Sequence, residues 1–163
     1  MEAVAENTKK TVREGKYLTF VLSNEEYGIE ILKVREIIGL MDITSVPQTP
    51  NYMKGVINLR GKVIPVIDLR LKFSMPEKDH TQETCTIVVE VGNTLIGIIV
   101  DSVSEVSDIG GEEIEETPHL GQGIDTNFIM GLGKVKGKII ILLDIEKVMS
   151  IEELEMVEQI AEN

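Results

Sequence analysis

The chain has one cysteine, Cys85, so no disulfide can form within it, and a cytoplasmic setting is the expectation. It has no tryptophan and only three phenylalanines and three tyrosines. Its two histidines, His80 and His119, stand in polar stretches of different halves. With a single thiol they supply no zinc-ligand spacing, so no metal is expected. No run approaches the ~20 apolar residues of a spanning helix, and the opening MEAVAENTKK lacks the apolar stretch of a secretory signal.

Phosphate-cradling and nucleophile motifs are missing too. There is neither a G-x-x-x-x-G-K-[ST] loop nor a G-x-S-x-G elbow. Gly131-Leu132-Gly133 begins like a dinucleotide fingerprint, but Lys136 takes the place of its last glycine and a strand follows. Clustered basic residues are also scarce. The 28 acids against 16 bases leave a net charge of −12. Asp108, Glu112, Glu113, Glu115 and Glu116 carry five of those charges, and Glu152, Glu153, Glu155, Glu158 and Glu162 five more. Binding to nucleic acid or to an anionic membrane surface is disfavoured, because phosphates need clustered Lys and Arg, and neither a nucleic-acid partner nor direct membrane insertion is expected. Both acidic runs read as solvated surface, one a loop and one a helix face.

What the chain does have is a duplication. Phe20–Ile37 overlays Val89–Val106, matching Asn24, Gly28, Ile29, Val34 and Glu36 to Asn93, Gly97, Ile98, Val103 and Glu105. Gly55–Phe73 overlays Gly131–Met149, matching Gly55, Gly61, Lys62, Ile64 and Asp68 to Gly131, Gly137, Lys138, Ile140 and Asp144. The offsets of 69 and 76 place a seven-residue insertion between Val106 and Gly131. Each copy of about 65 residues would bury only roughly 60% of its unfolded surface alone, so the two are expected to pack together around a groove.

Residues 1–15 lack apolar periodicity and read as a mobile tail. Tyr17–Ser23 alternates like a strand, with a hairpin turn expected at Asn24-Glu25. The segment Ile31–Ile38 has helical spacing at first, but its β-branched residues favour strand in its second part. Gly55–Leu59 and Lys62–Ile67 form a hairpin about Arg60-Gly61, and Asp68 is placed to cap a helical turn over Leu69–Phe73. The polar stretch Ser74–Glu83 links the copies. The second copy repeats the plan: strands over Thr84–Val91 and Leu95–Val100, an acidic crossing loop over Ser107–Asn127, and a hairpin about Lys136-Gly137 before Asp144. Ser150-Ile151-Glu152-Glu153 has capping-box spacing, and Ile151, Leu154, Val157 and Ile160 give a C-terminal helix over 150–163 one apolar face. The expectation is an all-β (mainly) protein of two small barrels, residues 16–80 and 84–149, within one domain.

Asp68, Asp101 and Asp144 each follow an apolar run and are the candidate carboxylates of a hydrolase. The equivalence of Asp68 and Asp144 favours repeated helix caps, and the chain is not expected to be an enzyme. A small-ligand or peptide-binding barrel is the other alternative, and it requires a deep apolar pocket.

The strings Tyr27-Gly28-Ile29-Glu30-Ile31-Leu32-Lys33-Val34-Arg35-Glu36-Ile37 and Lys54-Gly55-Val56-Ile57-Asn58-Leu59-Arg60-Gly61 closely resemble the CheW family of bacterial chemotaxis coupling proteins. So do Ile64-Pro65-Val66-Ile67-Asp68-Leu69-Arg70, Gly97-Ile98-Ile99-Val100-Asp101 and Ile129-Met130-Gly131-Leu132-Gly133, and the resemblance runs from Lys16 to Val148. It implies two SH3-like five-stranded barrels and no catalysis or cofactor. The implied partners are the cytoplasmic tip of methyl-accepting receptors and the regulatory domain of the kinase CheA, in arrays at the membrane. The receptor-facing residues it implies are Val34, Glu36, Ile37, Arg60, Cys85 and Ile87. For the kinase it implies Met41, Ile43, Val46 and Pro47 on the crossing segment, with Val63 and Pro65. Glu36 and Arg60 are expected to form an ion pair, with Glu105 and Lys136 at the equivalent positions.

Overall fold

A computed structural model describes residues 14–118 and 126–162. Among these residues, eleven strands form two sheets: β1 (Gly15–Leu22), β2 (Glu25–Glu30), β3 (Val34–Gly39), β4 (Met53–Leu59), β5 (Lys62–Asp68), β6 (Cys85–Val91), β7 (Thr94–Val100), β8 (Ser102–Ile109), β9 (Ile114–Glu115), β10 (Ile129–Val135) and β11 (Lys138–Leu143). Two α-helices accompany them, α1 (Leu69–Lys72) and α2 (Ile151–Glu162), with short 3-10 turns at Ile31–Lys33 and Gly111–Glu113.

Local expectations hold with small shifts. The first hairpin turns at Ser23-Asn24, both at positive φ, and Glu25 already opens β2. The tail expected over residues 1–15 lies mostly outside the described residues, and Gly15 belongs to β1. The acidic crossing is more regular than a loop, because β8 runs on to Ile109 and β9 pairs with β10. Asp68 accepts the Arg70 N–H at 2.9 Å and caps α1, while Asp144 accepts the Glu146 N–H at 3.1 Å in the same role. The Ser150–Glu153 capping box closes in both directions, at 2.8 and 3.1 Å.

The repeats and the sheets divide the chain differently. One sheet has the order β3-β6-β7-β5-β4 and the other β8-β1-β2-β11-β10-β9. Each takes a hairpin from the opposite repeat: β6–β7 joins β3, β4 and β5, and β1–β2 joins β8 to β11. Parallel pairs fix the exchange, Val66↔Gly97 through Asp68↔Ile99 in one sheet and Ile140↔Glu26 through Leu143↔Ile29 in the other. The segments 16–80 and 84–149 are therefore not the barrels themselves. The physical reason is that each hairpin leaves an outer row of backbone donors and acceptors, and these are satisfied across the repeat boundary. One sheet has five strands, and the short β9 brings the other to six.

The duplication extends to irregularities. Register shifts at Val34/Glu36 against β6 and Leu18/Phe20 against β8 are equivalent, as are those at Met53/Gly55 and Ile129/Gly131. Gly55 and Gly131 share a steric cause. A Cβ at Gly55 would lie 2.0 Å from the Thr44 carbonyl oxygen, and one at Gly131 would lie 2.8 Å from Ile114 Cγ2, so each lets a crossing chain pass over the sheet.

Each sheet encloses a small core of its own, consistent with SH3-like barrels. Ile57, Ile64, Val66, Val88 and Ile99 fill one, and Tyr17, Ile109, Ile140 and Leu142 the other. The largest core lies between the sheets and includes Phe20, Ile29, Ile67, Ile87, Ile98 and Leu143. A stack Phe20–Tyr27–Phe73–Phe128, with centroids 5.9, 6.2 and 4.9 Å apart, uses all three phenylalanines of the chain. Arg70, only 3% exposed, pairs with Asp101, whose other oxygen accepts the Ser23 N–H at 2.9 Å. This buried contact ties α1 to the turn of the exchanged hairpin.

Helix α2 packs across β5 and buries Val157. Its first turn is held by Glu153, which accepts from the Tyr52 hydroxyl and from Lys72 Nζ at 3.0 Å. Partial burial opposes ionisation of Glu153, but the Ser150 N–H, the Tyr52 hydroxyl and Lys72 outweigh it and hold the carboxyl at about 2. The same burial and the bond to Glu153 push the Tyr52 hydroxyl upward.

Two predictions follow from this packing. Gly55→Ala should cost about 3 kcal/mol or more by denaturant melts, at the severe end for single substitutions, and more than Gly131→Ala, because its new methyl would lie 2.0 Å from a backbone oxygen, against 3.0 Å at Gly131, and its φ is +143°. The Glu153 carboxyl has a folded pKa below its ordinary 4.5, so its stabilisation of α2 is complete above that value and disappears as pH falls toward about 2. An acid titration of helix docking should show this loss, and Glu153→Gln should remove the Glu153 contribution.

Candidate functional site

The turn between β4 and β5 builds the first half of the site. Arg60 and Gly61 have φ of 51° and 88°, the pattern of a two-residue hairpin turn matched to the strand twist. The Asn58 side chain accepts the Gly61 N–H at 2.8 Å and fixes the turn. Strand β3 supplies the other half. Its register against β6 shifts between Val34↔Val89 and Glu36↔Val88, so Arg35 is the extra residue of a bulge and the strand changes phase there. Val34 packs on the core between the sheets, and Glu36 lies beside the barrel interior.

This phase change brings Glu36 to Arg60. Arg60 Nη2 meets Glu36 Oε1, and Nη1 reaches Oε2 at 3.4 Å, so the guanidinium sits across the carboxylate as a fork. The bond to Glu36 and its negative charge push the Arg60 pKa further up. The Arg60 side chain remains 71% exposed and that of Glu36 31%. They rim a surface cleft of about 400 Å³ with an apolar floor of Leu59, Ile64, Val88 and Leu95, and with Arg35 and Lys62 at its edge. Arg35 is bound to both oxygens of Glu90 at 2.6 and 2.7 Å. Among the described residues no ion pair joins Glu105 to Lys136, although Lys136 has the same positive φ as Arg60.

The other receptor-facing residues implied by the resemblance are not beside this pair. Ile37, 45% exposed, and the half-buried Val34 and Cys85 belong to the opposite face of β3 and β6. Burial raises the Cys85 thiol pKa, so it behaves as an apolar side chain. Ile87 is 0% exposed and is a core residue, because β6 is an interior strand covered on both faces. Of the kinase set, Met41, Pro47 and Val63 are exposed and Val46 is half-buried. Ile43 is not an exposed centre; it packs on the first barrel core. Pro65 is buried in β5, which lies between β4 and β7 and beneath α2.

Sequence reading missed Arg35, Lys62 and Leu95 as parts of the cleft. Arg35 stands inside one quoted string and Lys62 directly after another, but the bulge that turns β3 leaves no composition signal. The three carboxylates have structural partners. Asp68 and Asp144 cap turns, and Asp101 binds Arg70 and the Ser23 N–H. His119 lies outside the described residues.

A family model for the CheW-like domain matches residues 16–153. The chain is 42% identical over 148 residues to the chemotaxis protein CheW of Klebsiella aerogenes, covering 91% of this chain and 89% of that one. It is 34% identical over 134 residues to CheW of Helicobacter pylori, covering 82% and 81% of the two chains. The crystal structure of the scaffolding protein TtCheW from Thermoanaerobacter tengcongensis superposes with a TM-score of 0.78 at 36% identity, over 86% of this chain and 95% of that one. Fold, repeat motifs and relatives agree, and the chain belongs to the CheW family of chemotaxis coupling adaptors.

Proposed function

We propose that this chain is a non-catalytic adaptor that joins the cytoplasmic tip of methyl-accepting receptors to the regulatory domain of CheA through two separate surfaces. The observation that carries the reading is the Glu36–Arg60 fork at the rim of an apolar cleft. An interface anchor combines an apolar centre with a few oriented polar groups, and arginine is prominent among such anchors. Arg60 is set on a tight turn and oriented by Glu36, so less side-chain freedom is lost when a partner binds. The receptor surface comprises this cleft and, across the edge strand β3, Val34, Ile37 and Cys85 on the opposite face. The kinase surface comprises Met41, Val46 and Pro47 on the crossing segment with Val63 on β5. Among the described residues no helix is long and apolar enough to cross a membrane. In this reading the receptor contact is what recruits the chain to membrane arrays.

Arg60→Ala should reduce affinity for a receptor signalling fragment by about thirtyfold, the effect of losing roughly 2 kcal/mol at an anchor. Its melting temperature should hardly move, since an exposed pair adds about 0–1 kcal/mol. Glu36→Ala should weaken receptor binding less, by freeing the guanidinium. Unchanged receptor affinity in Arg60→Ala removes the role assigned to it. Separability is checked with Val63→Glu, which should weaken CheA binding while receptor co-sedimentation persists; equal loss of both partners would contradict two surfaces.

A further inference from the structure

The cleft beneath Arg60 has an unbalanced charge at its rim. Three cations stand there, Arg35, Arg60 and Lys62, over a floor of Leu59, Ile64, Val88 and Leu95. Two of the three are matched within the molecule, Arg35 by Glu90 at 2.6 Å and Arg60 by Glu36. Lys62 is exposed, and among the described residues it joins no ion pair. One unmatched positive charge is thus left beside an apolar floor, on a chain whose net charge is −12.

The second barrel shows that the lysine alone is not the point. Its duplicated positions carry Lys136 for Arg60 and Lys138 for Lys62, so the cation recurs. The floor does not recur. In the repeat register Thr19 stands for Val88 and Glu26 for Leu95, and the strand pairing agrees. Val88 pairs with Gly97 as Thr19 does with Gly28, and Leu95 pairs with Glu90 as Glu26 does with Val21. The Thr19 hydroxyl donates to the Glu105 carbonyl at 3.0 Å and accepts the Glu105 N–H at 3.2 Å. Glu26 adds a negative charge where the first barrel has the side chain of Leu95. Only the first cleft therefore combines an apolar seat with a cation that no neighbouring acid has claimed.

The geometry points to Lys62 as a specificity-determining residue of the receptor contact. It receives a carboxylate that the receptor segment carries beside the apolar side chain seated on Leu59, Ile64, Val88 and Leu95. This names the chemistry of the partner at the site described above and rests on the receptor reading. The two cations divide the work. Arg60 is a planar fork already oriented by Glu36, whereas a lysine is a point charge on a flexible stem that follows a carboxylate over a range of positions. A partner with a basic side chain at that place would oppose Lys62, because Glu36 and Glu90 are both engaged, and such repulsion is how an interface rejects a wrong partner.

The test measures binding of the full-length chain to the cytoplasmic signalling fragment of a methyl-accepting receptor from the same cell. In low salt Lys62→Gln should weaken binding about fivefold, near the upper end for an exposed charge pair. Lys62→Arg should retain most of the affinity, and Lys138→Gln all of it. Thermal melts of all three should match the unaltered chain. In about 1 M salt, where the screening length falls to ~3 Å, Lys62→Gln and the unaltered chain should bind alike. Among receptor fragments with each tip Asp or Glu changed in turn to Lys, one should bind Lys62→Glu more tightly than it binds the unaltered chain. Full affinity of Lys62→Gln in low salt, a deficit undiminished at 1 M, an equal loss in Lys138→Gln, or no compensating receptor variant overturns the proposal. If Arg60→Ala loses affinity and Lys62→Gln does not, the role of Lys62 alone falls; if neither loses any, the receptor reading falls with it.

Discussion

The outer backbone edge of each exchanged hairpin has its hydrogen-bonding partner in the opposite repeat, and the rest of the molecule follows from that constraint. β2 pairs in parallel with β11, and β7 with β5. A buried donor or acceptor left unpaired costs about 1–3 kcal/mol, so a row of them compels association of the repeats. Once the hairpins cross, the apolar outer faces of the two sheets meet and create the largest core. The Arg70–Asp101 contact then holds the crossing in place from within, bound also to the Ser23 N–H. The candidate site inherits the same dependence. Glu36 and Arg60 come from the first repeat, while Val88 and Leu95 beneath them arrive with the hairpin of the second.

The site is accordingly built on stiff elements. Arg60 is fixed by a turn that Asn58 caps, and Glu36 by a strand bulge that its counterpart in the second barrel reproduces. The two barrels differ where chemistry would differ. The first carries a forked guanidinium–carboxylate pair, and the second has Lys136 and Glu105 at the same positions without that contact. Duplication thus supplied two equal frames, and side-chain identity made one of them distinctive.

Much of this was legible in residue order, because the signals were local. Asp68 and Asp144 cap turns as their equivalence required, and paired glycines mark where crossing chains pass close. The Glu36–Arg60 pair could be read from the motifs that carry them. What escaped was non-local. A repeat gives the same pattern whether a hairpin joins its own half or the other, so the exchange had no sequence signature. Ile87 and Pro65 looked available for binding because strands covered on both faces lose the alternation that distinguishes inside from outside. The bulge at Arg35 breaks the period of two within a run that reads smoothly, and this separated Val34 from Glu36.

The hairpin exchange also bears on how the protein is made. Strand β2 ends at Glu30, but its parallel partner β11 ends at Leu143. At about 5–20 residues per second, a ribosome needs roughly 6–22 s to deliver that partner after β2 has emerged. For that interval the nascent chain presents an apolar, half-paired hairpin to the cell. Emergence of β11, and not of the first repeat, becomes the moment at which that hairpin can be paired along both of its edges.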